Sequence, residues 1–453
     1  MEKITKGAYL FTRDLRLDDN PALNEALMRC HEVLPLFILD PRQGEGDSRF
    51  NRHAFSFMME SLQELSEALS RRGGVLAVIR GRPEEVLDRL LKESRIRALF
   101  FQKDYTPVAG EREKDLTDVC RKHQAEIHMI HQNLLFPPGS LLTRSGEPYR
   151  VFTPFKKRAF QLEVSVPQTC HEGRFSSSSP AGSIPPDRLQ ELKGDSLNEG
   201  GRMRGLKRFR TFLDRGDYTT LRDFPAREAT SGISAHLNFG TLSVREAWHT
   251  AMEELGDAET FLSELLWRDF FTHIAFHFPR VFQGSFHKRY DDIPWEEPGV
   301  RFEQWCRGET GFPLVDAGMR QLNETGFMHN RVRMAAASFL IKDLHIHWRE
   351  GEHYFAEQLT DYDPCVNNGN WQWAASTGCD AVPYFRIMNP WLQQKRFDPR
   401  GDYITTWIPE LSGLPAHDLH SPSLPKKGYL RPLVDHRRER LETLSRYRLT
   451  PLI

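Results

Sequence analysis

Residues 75–102 read VLAVIRGRPEEVLDRLLKESRIRALFFQ. Two apolar runs, Val75–Arg80 and Ala98–Gln102, flank Pro83–Glu93, whose apolar residues recur at helical spacing. This is a strand, an amphipathic helix and a strand. The same alternation runs through the first ~135 residues, with strand candidates Tyr9–Thr12, Val33–Leu39 and Ile127–His131 and a further helix at Ala54–Arg71. Alternation at this spacing predicts a parallel sheet with helices on both faces, a Rossmann-like α/β domain over residues 1–135. No G-x-G-x-x-G follows the first strand, so the usual dinucleotide fingerprint is missing. The carboxyl ends of the strands can still hold a ligand, or the domain is purely structural.

Beyond it the composition changes. Residues 136–204 read as a connector containing FSSSSPAGSIPP (Phe175–Pro186), a loop-like linker. From 205 to 453 strand signals nearly vanish and helical periods dominate: Arg202–Leu213, Val244–Leu255, Glu259–Phe276, Leu314–Thr325, Met328–Leu344 and Glu352–Gln358. The expected fold is therefore an α/β N-terminal domain plus a mostly α-helical C-terminal domain.

Composition excludes several classes. Lys and Arg total 61 against 62 Asp and Glu, a net charge of −1, which is not the footprint of a chain coated in nucleic acid. Local basic clusters remain: His287–Arg289, Arg331 with Arg333, Lys395–Arg396, and the tail Lys426–Arg448. No apolar run reaches transmembrane length, and the N-terminus MEKITKGAYLFTRDLRL carries charges where a signal peptide needs an apolar core. The six cysteines are scattered without a C-x-x-C, which argues against a disulfide framework or a structural zinc site and fits a reducing cytoplasm.

The densest chemistry lies in DYDPCVNNGNWQW, Asp361–Trp373. Asparagines both donate and accept without charge, and indoles offer stacking faces and a low oxidation potential. The segment reads either as a helix start with two buried tryptophans or as a site for a planar redox partner. Asn367 and Trp371 are four apart; Trp371 and Trp373 are about 200° apart around a helix and so face different ways. Glu264 and Trp267 share a helix face with Phe261 and Phe271, either as a satisfied structural acid or as a grip on a polar ligand edge. Asn330 and Met334 stack one above the other, with Arg333 beside them. Thr230–Ser234, TSGIS, is a loop with a capped helix or a weak phosphate cradle.

Several tracts together resemble the photolyase/cryptochrome family: ATSGISAHLNFGTLS, ELLWRDFF, GETGFPLVDAGMRQLNETGFMHNRVRM, HWREGE and DYDPCVNNGNWQWAASTGCDAVPYFRIMNP, with N-terminal FTRDLRLDDNPAL and central YRVFTPFKKR. The likeness runs nearly end to end and is strongest from ~205 to ~410. It implies an α/β domain that can carry an antenna chromophore and a helical domain that binds FAD. Carried over by motif, Tyr218, Thr230, Ser231, Gly232, Ile233 and Ser234 hold the FAD phosphates. Arg333, Asp361, Tyr362 and Asp363 contact the flavin or its adenosine arm, and Asn367 faces flavin N5. Trp371, Trp348 and Trp305 form an electron path to the surface.

Within the family, residue choices favour class I cyclobutane pyrimidine dimer photolyases. HNRVRM keeps Met334 and lacks the paired His of (6-4) photolyases; Asn367 stands where plant cryptochromes place Asp. On that likeness Glu264, Trp267, Asn330, Arg331, Met334 and Trp373 surround the lesion, and Arg222 touches the DNA backbone. Phe261, where some members have Trp, is expected to supply a stacking face. The implied activity is light-driven repair of pyrimidine dimers in UV-damaged DNA, with the lesion flipped out of the duplex and an electron drawn from excited reduced FAD. A cytoplasmic monomer is implied. Phe101–Arg112 lies where an antenna, 5,10-methenyltetrahydrofolate or 8-hydroxy-5-deazaflavin, would be contacted. The competing readings are a cryptochrome-like blue-light sensor without repair, a (6-4) photolyase, and a binding protein without flavin.

Overall fold

In a computed structural model that describes residues 3–43, 50–192, 194, 197–422 and 428–448, the apolar runs form strands β1 (Gly7–Phe11), β2 (Val33–Leu39), β3 (Ala77–Arg80), β4 (Ala98–Gln102) and β5 (Glu126–Ile130). Helices α1 (Pro21–Arg29), α2 (Arg52–Ser70), α3 (Pro83–Glu93) and α4 (Pro107–Lys122) alternate with them. Every residue of β1, β2 and β4 is buried. A strand covered on both faces needs a continuous apolar run rather than alternation. Side chains still divide by period two: Tyr9 and Phe11 pack with α1 and α2, whereas Ala8 and Leu10 pack with α3 and α4.

The strand order is β5-β4-β1-β2-β3-β6, parallel throughout except for β6 (Ser183–Ile184), which runs antiparallel to β3. The chain reverses its direction of sheet growth between β1 and β4, so their carboxyl ends flank a topological switch point. The linker expected at Phe175–Pro186 is a correction: β6 lies within it, Phe175 is buried, and Ser176 exchanges backbone hydrogen bonds with Val33 and Val75. A serine-rich composition concealed an edge strand whose pairing is non-local.

Packing divides the described chain into two compact units. One comprises residues 1–149, 153–216 and 231–276; the other comprises 150–152, 217–230 and 277–453. The boundary expected near 205 from composition is not where packing divides the chain. The helix Val244–Glu254 belongs to the sheet-bearing unit because Arg245 forms a buried ion pair with Asp19 at 3.0 Å, and Ser243 Oγ donates to the same carboxylate. The second unit is helical, and its core holds Trp305, Phe312, Phe339, Trp348, Phe355 and Trp371. Among the described residues, no helix is long and apolar enough to cross a membrane, all six cysteines are free, and no acid, His or Cys cluster could hold a metal.

Candidate functional site

The segment Asp361–Trp373 forms a helix start, with Trp371 buried and Trp373 half-buried. Asp363 is the N-cap of the helix Pro364–Ala375; its Oδ1 accepts from the backbone N–H of Cys365 and Val366 at 2.9 and 3.0 Å, with Pro364 opening the helix. Asn368 and Gln372 are buried, and both donate to the carbonyl of Val281. Gln372 Oε1 accepts from Phe286 N–H. These two amides fasten the helix to the 281–286 segment. Asn367 is half-buried, and its Nδ2 donates to the Glu352 carbonyl at 3.2 Å. That bond orients the amide and presents its oxygen as an acceptor. The Glu352 carboxyl is mostly buried, which pushes its pKa up to about 7 against the pull of Arg349 and a hydrogen bond from Asn368.

Asp361 receives Arg333 Nη2 at 2.9 Å, while Arg333 Nε donates to the Met328 carbonyl. The other carboxylate oxygen, Oδ1, is buried without a partner. A buried acceptor left open costs free energy unless a donor arrives, so this position suits the hydroxyl or N–H edge of a polar ligand. Tyr362 is half-buried against the helical core.

Trp371 is buried and Trp373 half-buried, on different sides of their helix, as their spacing predicts. The Trp371 indole lies over Gly351 of the helix Trp348–Gln358. Trp305 touches Trp371 at a ring separation of 6.3 Å, but it is fully buried, with its indole N–H given to the Ala336 carbonyl. An electron path that ended on Trp305 would end inside the core, which corrects its expected place at the surface. Trp348 is also fully buried. Its ring lies 5.6 Å from that of His347, which lies 5.2 Å from the half-buried Trp295. Burial holds His347 down near pKa 4, so it is neutral at neutral pH. Sequence reading missed Trp295 because it sits in a loop without periodicity, and exposure is decided by tertiary packing.

Two of the residues expected at DNA, Arg331 and Arg222, are arranged around one carboxylate, that of Asp223. Arg331 Nε and Nη2 both donate to Asp223, each at 2.8 Å, and Arg331 lies over the Phe397 ring. Arg222 stacks over Tyr218, and its Nε is 3.9 Å from Asp223. Met334 Sδ is 3.9 Å from Arg331 Nη1. Asn330 is exposed at the start of its helix, Met334 half-buried one turn on. Thr230 is half-buried.

In the sheet-bearing unit, Gly232 has φ +61, and a β-carbon there would come within 2.7 Å of Arg208 Nη1. The positive φ disfavours a side chain at 232, and one placed there would have to push the exposed Arg208 guanidinium aside. Ser231 is half-buried, Ile233 buried and Ser234 exposed at a helix start. This bare backbone beside a guanidinium fits a phosphate. Glu264 and Trp267 lie half-buried on the helix Glu259–His277, with Trp267 stacked on Phe271 at 5.3 Å. Phe261 is a correction: it is buried against Phe209 and Phe212 rather than free to stack on a ligand. At the carboxyl ends of β1 and β4, Thr12 Oγ1 and Gln102 Oε1 are buried without partners, and so are Nε and Nη2 of Arg112 on α4.

The family profile "DNA photolyase" matches residues 8–171, and "FAD binding domain of DNA photolyase" matches residues 261–449. A deoxyribodipyrimidine photo-lyase of Alkalihalophilus pseudofirmus is 35% identical over 97% of each chain. The crystal structure of an archaeal photolyase from Sulfolobus tokodaii with two FAD molecules superposes with a TM-score of 0.90 at 40% identity, over 98% of this chain and 100% of that one. A bacterial class III photolyase from Agrobacterium tumefaciens gives 0.91 at 33% identity, over 99% and 98%.

Proposed function

The chain belongs to the DNA photolyase family, and we propose on that footing that it repairs cyclobutane pyrimidine dimers in DNA under light. The observation that carries this reading is end-to-end likeness to a deoxyribodipyrimidine photo-lyase, joined to the presence of Glu264, Asn330, Met334, Asn367 and Trp373.

The residues present fit FAD. The backbone at Gly232 with Arg208 suits its phosphates, and the open Asp361 oxygen, held by Arg333, suits a donor on its polar edge. Tyr218, Thr230, Ser231, Ile233, Ser234, Tyr362 and Asp363 complete the proposed set. When bound and reduced, FAD supplies light-driven electron transfer. The chain's own residues do the rest. Asn367, turned by the Glu352 carbonyl, would offer an uncharged acceptor toward flavin N5 and has no ionisable proton. Glu264 and Asn330 bind the polar edges of the dimer, and Trp267, Met334 and Trp373 flank its apolar body. Arg222 and Arg331 meet backbone phosphates, which position the strand without reading sequence. Dimerised bases stack poorly, so flipping them costs only about a few kcal/mol.

Trp371 and Trp348 carry electrons inward from the surface, with Trp295 as the outer member and the His347 ring between it and Trp348. An antenna chromophore would sit at the carboxyl ends of β1 and β4, where Thr12 and Gln102 present open polar atoms, as does Arg112 on α4.

The test is direct. The purified protein is reduced and illuminated with a dimer-containing oligonucleotide. Recovery of ultraviolet base absorbance is expected; no recovery with reduced FAD bound would refute the repair reading and favour a light sensor.

A further inference from the structure

The edge of Arg331 best shaped for a phosphate is already taken. Its Nε and Nη2 hydrogens, a planar fork that matches two oxygens of a phosphate or carboxylate, both point at Asp223 at 2.8 Å. One face of the guanidinium is covered by Phe397, at 5.0 Å to the ring centroid, and Nη1 faces Met334 Sδ. Arg222, the neighbouring cation, also leans on Asp223, at 3.9 Å. Partial burial pushes the Asp223 carboxyl upward, but hydrogen bonds and charge from Arg331, with Arg222 beyond, hold it below the ordinary Asp range. It is therefore ionised at neutral pH. Asp223 and Arg331 are about equally exposed, 31% and 30%, so a strand can reach both.

We propose that Asp223 is a built-in surrogate for a DNA phosphodiester, occupying the fork of Arg331 in the free protein so that a backbone phosphate must displace it. This rests on the reading that Arg331 faces DNA, and it assigns a residue that opposes binding. The cluster Arg222–Asp223–Arg331 carries one net positive charge instead of two. An undamaged strand is held by phosphate contacts alone, so it feels that missing charge in full. A dimer-containing strand has the contacts of a flipped lesion as well, so a smaller share of its binding depends on the opposed arginine.

The experiment is binding of undamaged single-stranded oligonucleotide by the FAD-loaded protein in the dark across a range of NaCl concentrations. The expected result for Asp223→Asn is tighter binding by roughly fivefold at ~0.1 M salt, with the slope of log K against log salt steeper by roughly 0.7, the release of one further counterion from a single strand. Asp223→Asn made in an Arg331→Gln background should change both quantities by clearly less, since only Arg222, 3.9 Å away, is then left for the carboxylate to oppose. Weaker binding, or an unchanged slope, in the single variant would overturn the proposal and make Asp223 a support that aims Arg331. If Arg331→Gln alone leaves binding untouched, the proposal also fails, while repair of dimers by the parent protein under light still stands or falls on its own assay.

Discussion

The indole of Trp371 lies against the backbone of Gly351: a β-carbon at 351 would stand 2.1 Å from Cη2 of that ring and 2.5 Å from Leu340 Cδ2. Glycine in mid-helix costs about 1 kcal/mol relative to alanine, so the close approach of two helices is what retains it. Gly351→Ala gains that propensity and loses more, because overpacking against a rigid ring costs about 1–3 kcal/mol. A net loss of stability is expected, read as a lower urea midpoint with an unchanged m-value. A midpoint at or above the parent's would show that the ring has room to move.

Asp363 closes the helix that carries Asn367, Trp371 and Trp373. Asp363→Ala removes the acceptor for two backbone donors, and stability should fall by roughly 1–2 kcal/mol. Asp363→Asn should restore most of it, since an amide oxygen caps nearly as well. Denaturant unfolding of the three proteins, with flavin content measured alongside, separates the capping role from any contact with the cofactor.

The tryptophans divide into carriers and core. Trp371→Phe should abolish photoreduction of bound flavin while leaving repair by chemically reduced protein, and Trp295→Phe should slow photoreduction. Trp305→Phe should leave photoreduction in place and lower stability by a few kcal/mol, from a buried indole N–H contact and a cavity. Loss of photoreduction in Trp305→Phe with normal rates in Trp295→Phe would restore the order expected from sequence.

Glu352 gives a pH dependence of known sign. Its folded pKa, about 7, lies above the ordinary 4.5. The folded state therefore binds more protons than the unfolded one between these values, and stability falls as pH rises through that window. A shift of this size corresponds to roughly 3 kcal/mol. Glu352→Gln should be closer to pH-independent and more stable than the parent at pH 8, by urea unfolding at pH 5 and pH 8. Parallel curves for the two proteins would exclude the effect.

The central sheet was legible because a strand buried on both faces must be written as an unbroken apolar run: β2 and β4 fall at the expected residues. β6 was not, since two residues in a serine-rich stretch carry no period. In the site, motif likeness and helical spacing located Asn367, Trp371 and Trp373, but not what holds them. Asp223 meets Arg331 from 108 positions away, and no local pattern records such a pairing. Trp295 and Trp305 look alike as letters; which one meets water is settled only when the helices pack. The amide-rich composition of residues 367–372 pointed to a ligand, yet Asn368 and Gln372 are spent on the protein itself.

Those two amides have a mechanical consequence. The buried residues of the Pro364–Ala375 helix lie on one half of its surface, and apolar packing there would fix its rotation about its own axis only loosely, since greasy contacts change little over small turns. Hydrogen bonds are directional, and the bonds of Asn368 and Gln372 to Val281 and Phe286 work like a key in a shaft. They index the helix to one angular setting, and with it the bearings of Trp371 and Trp373.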